Sequence, residues 1–388
     1  MPPLPLLVLI GLACIGHVVF WVGFVNRTHA CGWNHRVVDA LTATSAVMLV
    51  APPLAAAWLY WSGGWPALQQ SMLLSAYAWV MAPLAVFAAV HQVWLAVHPE
   101  RRTVHKQVQA KRLDFLPELG LEIARPVPRM FLRIPGNQAL QLSVEEMSLA
   151  LPRLPAGLAG LKIALLADLH ISGRFGVELY KRAMDQAAAS RPDLVVLAGD
   201  LIEKDHCLPW VNETYGKLSA PLGVYYVLGN HDKKADHPGI RAALDALGFV
   251  DVSRQAVRLD HHGESIEIVG NELPWFGPPT TFSDQPASLR LVVAHNPDQF
   301  GWAVAHDADL ILAGHNHGGQ VRFPPIGPVL TPSLHGTRYA CGTFRRGDTV
   351  MHVTRGAGSL APFRFFCPPE LTLITLQQQT SLSGAMPV

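Results

Sequence analysis

The feature that most restricts how this chain can fold is a repeated punctuation. Five short apolar runs are each closed by an aspartate, asparagine or histidine. Asp309-Leu310-Ile311-Leu312-Ala313 leads into Gly314-His315-Asn316-His317-Gly318-Gly319-Gln320. Lys162-Ile163-Ala164-Leu165-Leu166-Ala167 ends in Asp168-Leu169-His170, and Leu194-Val195-Val196-Leu197-Ala198 ends in Gly199-Asp200. Val224-Tyr225-Tyr226-Val227-Leu228 ends in Gly229-Asn230-His231-Asp232, and Leu291-Val292-Val293-Ala294 ends in His295. Short apolar runs bounded by turn residues are the pattern of buried strands. Open α/β sheets carry their ligands beyond the C-terminal ends of the strands, so these endings are expected on one rim. One His-x-His pair after a strand is an ordinary polar turn, but five such endings in order imply a metal site. Residues two apart in extended chain point the same way, so His315 and His317 are expected to face one point.

Between the runs lie helical stretches, Val177 to Ser190 and Ile240 to Leu247. Val257 to Val269 reads as a hairpin around His262-Gly263, and Val350 to Thr354 and Leu371 to Leu376 as closing strands. Alternating elements followed by further strands predict a layered α/β sandwich with two sheets. Ahead of it, Met130 to Ile134 and Met147 to Leu151 read as entry strands. The boundaries expected are 1–97 for an anchor, 98–146 for a connecting segment, 147–378 for the main domain and 379–388 for a tail.

Asp168, His170, Asp200, Asn230, His295, His315 and His317 make seven candidate donors. One first-row ion takes about four to six ligands, and a catalytic site keeps a position open. Seven donors therefore fit two divalent ions sharing one carboxylate and a bridging water, an arrangement suited to phosphoryl transfer. Oxygen and nitrogen donors suit manganese, iron or zinc. The five cysteines show no CxxC spacing, so neither a cysteine zinc site nor a disulfide framework is indicated.

Asp-x-His, Gly-Asp, Gly-Asn-His-Asp, a lone His and Gly-His-x-His, in this order, resemble the calcineurin-like metallophosphoesterase superfamily. The resemblance runs from about residue 147 to 378 and implies a four-layer α/β/β/α sandwich. Gly314 to Gln320 and the tail Arg355-Gly356-Ala357-Gly358, Pro362-Phe363-Arg364 and Pro369-Glu370 are similar to membrane-associated bacterial phosphoesterases. It implies one ion on Asp168, His170 and His317, another on Asn230, His295 and His315, and Asp200 between them. It leaves His231 off the metals, placed to stabilise the transition state or protonate the departing alkoxide, with Asp232 orienting it. A hydroxide bridging the ions is the implied nucleophile. Ala167 stands where Ser often precedes Asp-x-His, and Glu203 where Asp often follows Gly-Asp-x-x. Arg174 and His206, on loops after the first two motifs, are candidates for substrate phosphate. The implied activity is hydrolysis of a phosphodiester or pyrophosphate, and a lipid-linked substrate is attractive because UDP-diacylglucosamine pyrophosphohydrolases are similar. A phosphomonoesterase or nucleotide phosphodiesterase localised to the membrane, and a non-catalytic scaffold, are the alternatives.

Leu4 to Val25, Ala40 to Trp61 and Ser71 to Val97 carry no Asp, Glu, Lys or Arg. Each is long enough to cross a bilayer, which takes about 20 helical residues. Met1-Pro2-Pro3-Leu4 lacks the basic segment of a cleaved signal peptide. Lys and Arg total 30 against 29 for Asp and Glu, which argues against a dedicated nucleic-acid partner. Arg27 and Arg36 flank the first connection, Ser62 to Gln70 is uncharged, and Arg101, Arg102, Lys106, Lys111 and Arg112 follow the third stretch. The basic stretch from His98 to Arg112 is expected to be helical. The positive-inside rule puts the catalytic part in the cytoplasm of a multi-pass inner-membrane protein. In a cysteine-free background, a cysteine near Ser62 is expected to react with impermeant thiol reagents in intact cells, and one at Gln107 only after lysis. The reverse labelling pattern would place the phosphoesterase motifs outside.

Overall fold

The computed structural model describes residues 3–97 and 108–379. Two units are described separately: an N-terminal helical unit and an α/β unit comprising Arg101–Thr331 and Thr337–Val388.

The helical unit contains α1 (Leu4–Ala30), α2 (His35–Gln70) and α3 (Met72–Val97). All three contain stretches long and apolar enough to cross a membrane. Pro53 has no backbone N–H, which leaves the Leu49 carbonyl without its helical donor. His17 on α1 supplies one: its Nε2 lies 3.0 Å from Leu49 O. A carbonyl only accepts, so Nε2 carries the proton and Nδ1 accepts from the Tyr77 hydroxyl at 2.7 Å. Trp21 Nε1 donates to the same hydroxyl at 3.1 Å. A chain of polar groups thus joins all three helices and accounts for a proline tolerated inside α2.

The α/β unit runs β1 (Val108–Asp114), α4 (Leu116–Leu119), α5 (Pro126–Leu132), β2 (Gln141–Leu151), β3 (Lys162–Leu166), α6 (Val177–Ala189), β4 (Leu194–Ala198), α7 (Trp210–Tyr215) and β5 (Val224–Val227). It continues with α8 (His237–Ala246), β6 (Val250–Asp251), β7 (Val257–His261), β8 (Glu264–Asn271), β9 (Leu289–Ala294), α9 (Phe300–Ala305) and β10 (Leu310–Ala313). The last elements are β11 (Arg322–Phe323), β12 (Gly327–Pro328), β13 (Gly342–Arg346), β14 (Thr349–Val353) and β15 (Glu370–Gln378). One sheet has the order β1-β2-β15-β3-β4-β5-β6, the other β13-β14-β10-β9-β8-β7. Both are mixed: β3 to β6 run parallel, as do β8, β9, β10 and β14, while β15 runs antiparallel to β3 and β13 to β14.

Period-two alternation sorts each strand between layers. Val195 and Leu197 of β4 pack with Met184 and Leu244 of α6 and α8. Val196 packs between the sheets with Val293 and Leu312. On β10, Leu310 and Leu312 face that inner layer, whereas Ile311 and Ala313 pack with Phe300 and Ala303 of α9. The expected helix–sheet–sheet–helix sandwich is the fold.

Two expectations fail. Met130 to Ile134 is not a strand; most of it lies in α5 and the turn after it. Proline at the start of this helix suits its fixed φ, and a short apolar run does not distinguish strand from helix. Of the basic stretch expected to be helical, residues 98–107 lie outside the described residues, and Val108 to Arg112 form part of β1, paired with β2. The segment before 147 therefore adds two strands to the first sheet.

Candidate metal centre

The seven predicted donors come from both sheets and meet where β3, β4 and β5 face β9 and β10 across the inner layer. Asp168, His170 and His317 form one group of converging ligand atoms; Asp200, His295 and His315 form another. The two imidazole Nε2 atoms of His170 and His317 are 2.9 Å apart. His295 Nε2 lies 3.2 Å from His315 Nδ1 and 3.2 Å from Asn230 Oδ1. A single atom, Asp200 Oδ2, is 3.6 Å from His170 Nε2 and 3.3 Å from His295 Nε2, so it lies between the two groups, and His170, Asp200 and His231 converge as a third set.

His315 and His317 do not face one point. Both have left-handed backbone, at φ 70 and 52, and the chain turns between them, so each imidazole joins a different group. Asp168, His170 and Asp200 also sit at positive φ. β3, β4 and β10 therefore each end in a left-handed turn that throws their ligands across the rim, a conformation disfavoured for side chains with a Cβ.

The surrounding bonds explain how these turns hold. The backbone N–H of His315 donates to the Asp168 carboxylate, at 3.1 and 2.9 Å to its two oxygens. His295 Nδ1 donates to the Ala198 carbonyl at 2.8 Å, which leaves Nε2 with its lone pair facing the site. Asp200 Oδ1 accepts from the His231 N–H at 2.7 Å. Glycine is required at two contacts: a Cβ on Gly229 would lie 2.2 Å from Asp200 Oδ1, and one on Gly314 would lie 2.5 Å from Asp168 Oδ2.

Asp232 does not orient His231. Its carboxylate accepts backbone N–H bonds from Leu201 (2.9 Å), Ile202 (2.8 Å) and Gly229 (2.8 Å), tying the turn after β4 to the turn after β5. The carboxylate that faces His231 is Glu203, 4.0 Å from its Nδ1 and also 3.6 Å from Nδ1 of His170. Arg174 donates to both Glu203 oxygens (3.0 and 2.9 Å) and to the Leu360 carbonyl, so it holds Glu203 instead of pointing at a substrate. His206 is exposed on the loop after β4 and joins none of the donor groups.

Three residues support the site in ways that their sequence patterns do not show. Glu203 appeared only as a departure from a motif. Arg364 is fully buried and donates to the carbonyls of His317 and Cys367, both at 3.3 Å, to Arg355 at 2.9 Å and to Gly358, fixing the turn that carries His317. Trp275 is buried, with its ring 5.5 Å from His295 and 4.8 Å from His315. It walls the second group.

Burial works against every charge here. It pushes the Asp168 carboxyl up to about 6 despite the opposing pull of His295, and Asp232 up to about 7 with help from the charge of Asp200. At Asp200 burial is outweighed by His295 and His231, which hold its carboxyl well below the usual range. Burial brings His231 down to about 3. At Glu203, burial is outweighed by His170 and Arg174, leaving it at about 2. The donor set fits two divalent cations: it is all nitrogen and oxygen, and it converges on two groups that share one carboxylate.

A profile of calcineurin-like phosphoesterases matches residues 161–319. The chain is 33% identical over 237 residues to an uncharacterized metallophosphoesterase of Bacillus subtilis (strain 168), YkuE, covering 58% of this chain and 82% of that one. It is 33% identical over 230 residues to the phosphodiesterase YaeI of Escherichia coli (strain K12), covering 56% and 83%. Over 294 residues it is 24% identical to the UDP-2,3-diacylglucosamine pyrophosphatase LpxG of Chlamydia muridarum (strain MoPn / Nigg), covering 60% and 88%.

Seven donors around a shared carboxylate predict close to two ions per chain by elemental analysis of fully loaded protein. Asp200→Asn is expected to lower occupancy of both positions, because both groups lose the same charge. Loss of one ion with the other retained at full affinity would separate the groups.

Proposed function

The chain belongs to the calcineurin-like phosphoesterase family and is a metal-dependent phosphoesterase, and we propose that it hydrolyses a phosphodiester or pyrophosphate bond of a lipid-linked substrate at the cytoplasmic face of the membrane. The observation that carries the hydrolytic part is the sharing of Asp200 Oδ2 between two donor groups. The lipid-linked part is supported by three bilayer-length helices in the same chain and by the printed activity of the Chlamydia relative. A soluble substrate gains nothing from such an anchor, whereas tethering raises the local concentration of enzyme for a substrate lying in the leaflet. Among relatives, the membrane-associated bacterial phosphoesterases are the branch this reading favours.

In this reading Asp168, His170 and His317 hold one ion, Asn230, His295 and His315 hold the other, and Asp200 joins them. Manganese, iron or zinc in these positions supplies Lewis acidity toward phosphoryl oxygens and water. The chain's own part is orientation. Asp232 fixes the turns that carry Asp200 and Asn230, Arg364 fixes His317, and Ala198 sets the tautomer of His295. His231, beside His170 with ring centroids 4.7 Å apart, offers an imidazole to the phosphoryl or leaving oxygen. Glu203, held by Arg174, is the carboxylate that sets its direction. Arg174 and His206 carry no substrate role in this account.

His231→Ala is expected to keep its metals and lose turnover by roughly 10²–10⁴, the range for a positioned acid or base. Metal loss in that variant, or an unchanged rate, would remove His231 from the chemistry. The substrate class is tested by comparing kcat/KM for a lipid-linked pyrophosphate or diester with that for its deacylated analogue, identifying products by mass. Faster hydrolysis of the acylated form is expected. Equal values, or preference for a soluble monoester or nucleotide, would reduce the anchor to localisation.

A further inference from the structure

Three segments of the α/β unit meet in a surface that hydrolysis does not use: α5 with the turn after it, residues 360–366, and the β11–β12 hairpin. Hydrogen bonds make them one surface. Arg322 N donates to Phe365 O at 3.0 Å, and Asn137 Nδ2 donates to the carbonyls of Phe131 (2.9 Å) and Pro362 (3.0 Å). Gln320 Nε2 donates to Ala361 O at 3.2 Å and Phe363 O at 3.0 Å, and the rings of Phe131 and Phe363 lie 5.6 Å apart.

What this surface presents is unusual for a face in contact with water. Val127, Met130, Ile134, Phe323, Ile326 and Phe366 are all between 44% and 77% exposed. The first three fall on one face of α5 and its following turn, while Pro128 and Leu132 face the core. Phe366 combines an exposed ring with left-handed backbone, φ 51, so strain and hydration both oppose its placement. A contiguous apolar patch of this kind marks an interaction site. Arg125 and Arg133 at its border are exposed and make no ion pair among the described residues, whereas the nearby Glu122 is neutralised by Arg129.

Chain connectivity keeps a bilayer within reach of the patch. Only residues 98–107 separate the end of α3 from the start of β1, and ten residues reach at most about 35 Å when fully extended. A bilayer crossed by α3 is therefore held at high effective concentration to this unit. We infer that the α/β unit docks on the bilayer through this surface, with Ile326 and Phe366 entering the acyl boundary and Arg125 and Arg133 meeting anionic headgroups. Apolar side chains interleaved with basic ones are the chemistry of an interfacial membrane contact. The surface adjoins the metal centre through Gln320, three residues after His317, and through Leu360, whose carbonyl accepts from Arg174. A second apolar candidate on the α/β unit is the proline-rich loop Leu273 to Pro279. That loop is excluded, because Trp275 is buried against His295 and His315, and the ring of Phe276 lies under Lys233 and Arg241.

The test uses the full chain in lipid nanodiscs containing phosphatidylglycerol and phosphatidylcholine. p-Benzoylphenylalanine is placed at Ile326, at Phe366 and, as control, at exposed Arg191, which precedes β4 at the strand end away from the metal centre. After irradiation, mass spectrometry of the intact protein is expected to show a gain of one phospholipid mass at positions 326 and 366 and none at 191. Exchanging Arg125 and Arg133 for glutamine is expected to lower the adduct yield in anionic discs while leaving hydrolysis of a small soluble diester unchanged. Adducts to protein alone, no adduct at either position, or equal labelling at 191 would overturn the proposal. This readout needs no turnover, so it stands or falls independently of the substrate.

Discussion

One carboxylate oxygen, Asp200 Oδ2, lies within 3.6 Å of imidazoles from both sheets. Much else in the α/β unit exists to keep it there. Asp200 comes from the end of β4 and His295 from the end of β9, so the contact can form only where the two sheets pack face to face. Five of the seven donors adopt left-handed backbone, which costs on the order of 1 kcal/mol or more for each residue with a Cβ. Burial adds the cost of carboxylates held away from water. Such a site is costly as bare protein electrostatics, and its His and Asp clusters are consistent with two divalent cations that would supply the missing charge.

Support for that arrangement is reciprocal. Asp232 takes three backbone N–H bonds and so couples the turn after β4 to the turn after β5. The His315 N–H does the same from β10 to Asp168 after β3. Each ligand turn is pinned by a neighbouring one, and the glycines at 229 and 314 permit the close approach. A change at one turn is therefore felt at the other donor group.

The strands and their ligands were legible because period-two alternation and turn residues are local signals. Leu310 to Ala313 is a strand over the expected span, and the ligands follow the strands in sequence. Directions were less legible. Side chains two apart share a face only while the chain is extended, and His315 and His317 lie beyond the end of β10 in turned backbone. Adjacency misled at Asp232, two of whose three backbone partners lie some 30 residues away in the chain, whereas Glu203 reaches His231 from the turn after β4. The roles of Arg364 and Trp275 were not legible, because carbonyl capping and ring packing leave no spacing to read. Arg174 looked available for phosphate only because the loop position of Glu203 was unknown.

The polar chain in the helical unit has a consequence for how the protein is made. His17 emerges with the first helix and Leu49, with its undonated carbonyl, with the second, but Tyr77 arrives only with the third. A polar group in hydrocarbon is costly until it is paired. The first two helices can pair the imidazole with the carbonyl, yet Nδ1 and the Trp21 N–H wait for the tyrosine hydroxyl. Inserted in a bilayer, these helices would complete their polar chain only with the last segment, and a chain arrested after the second helix would leave an unfinished polar seam.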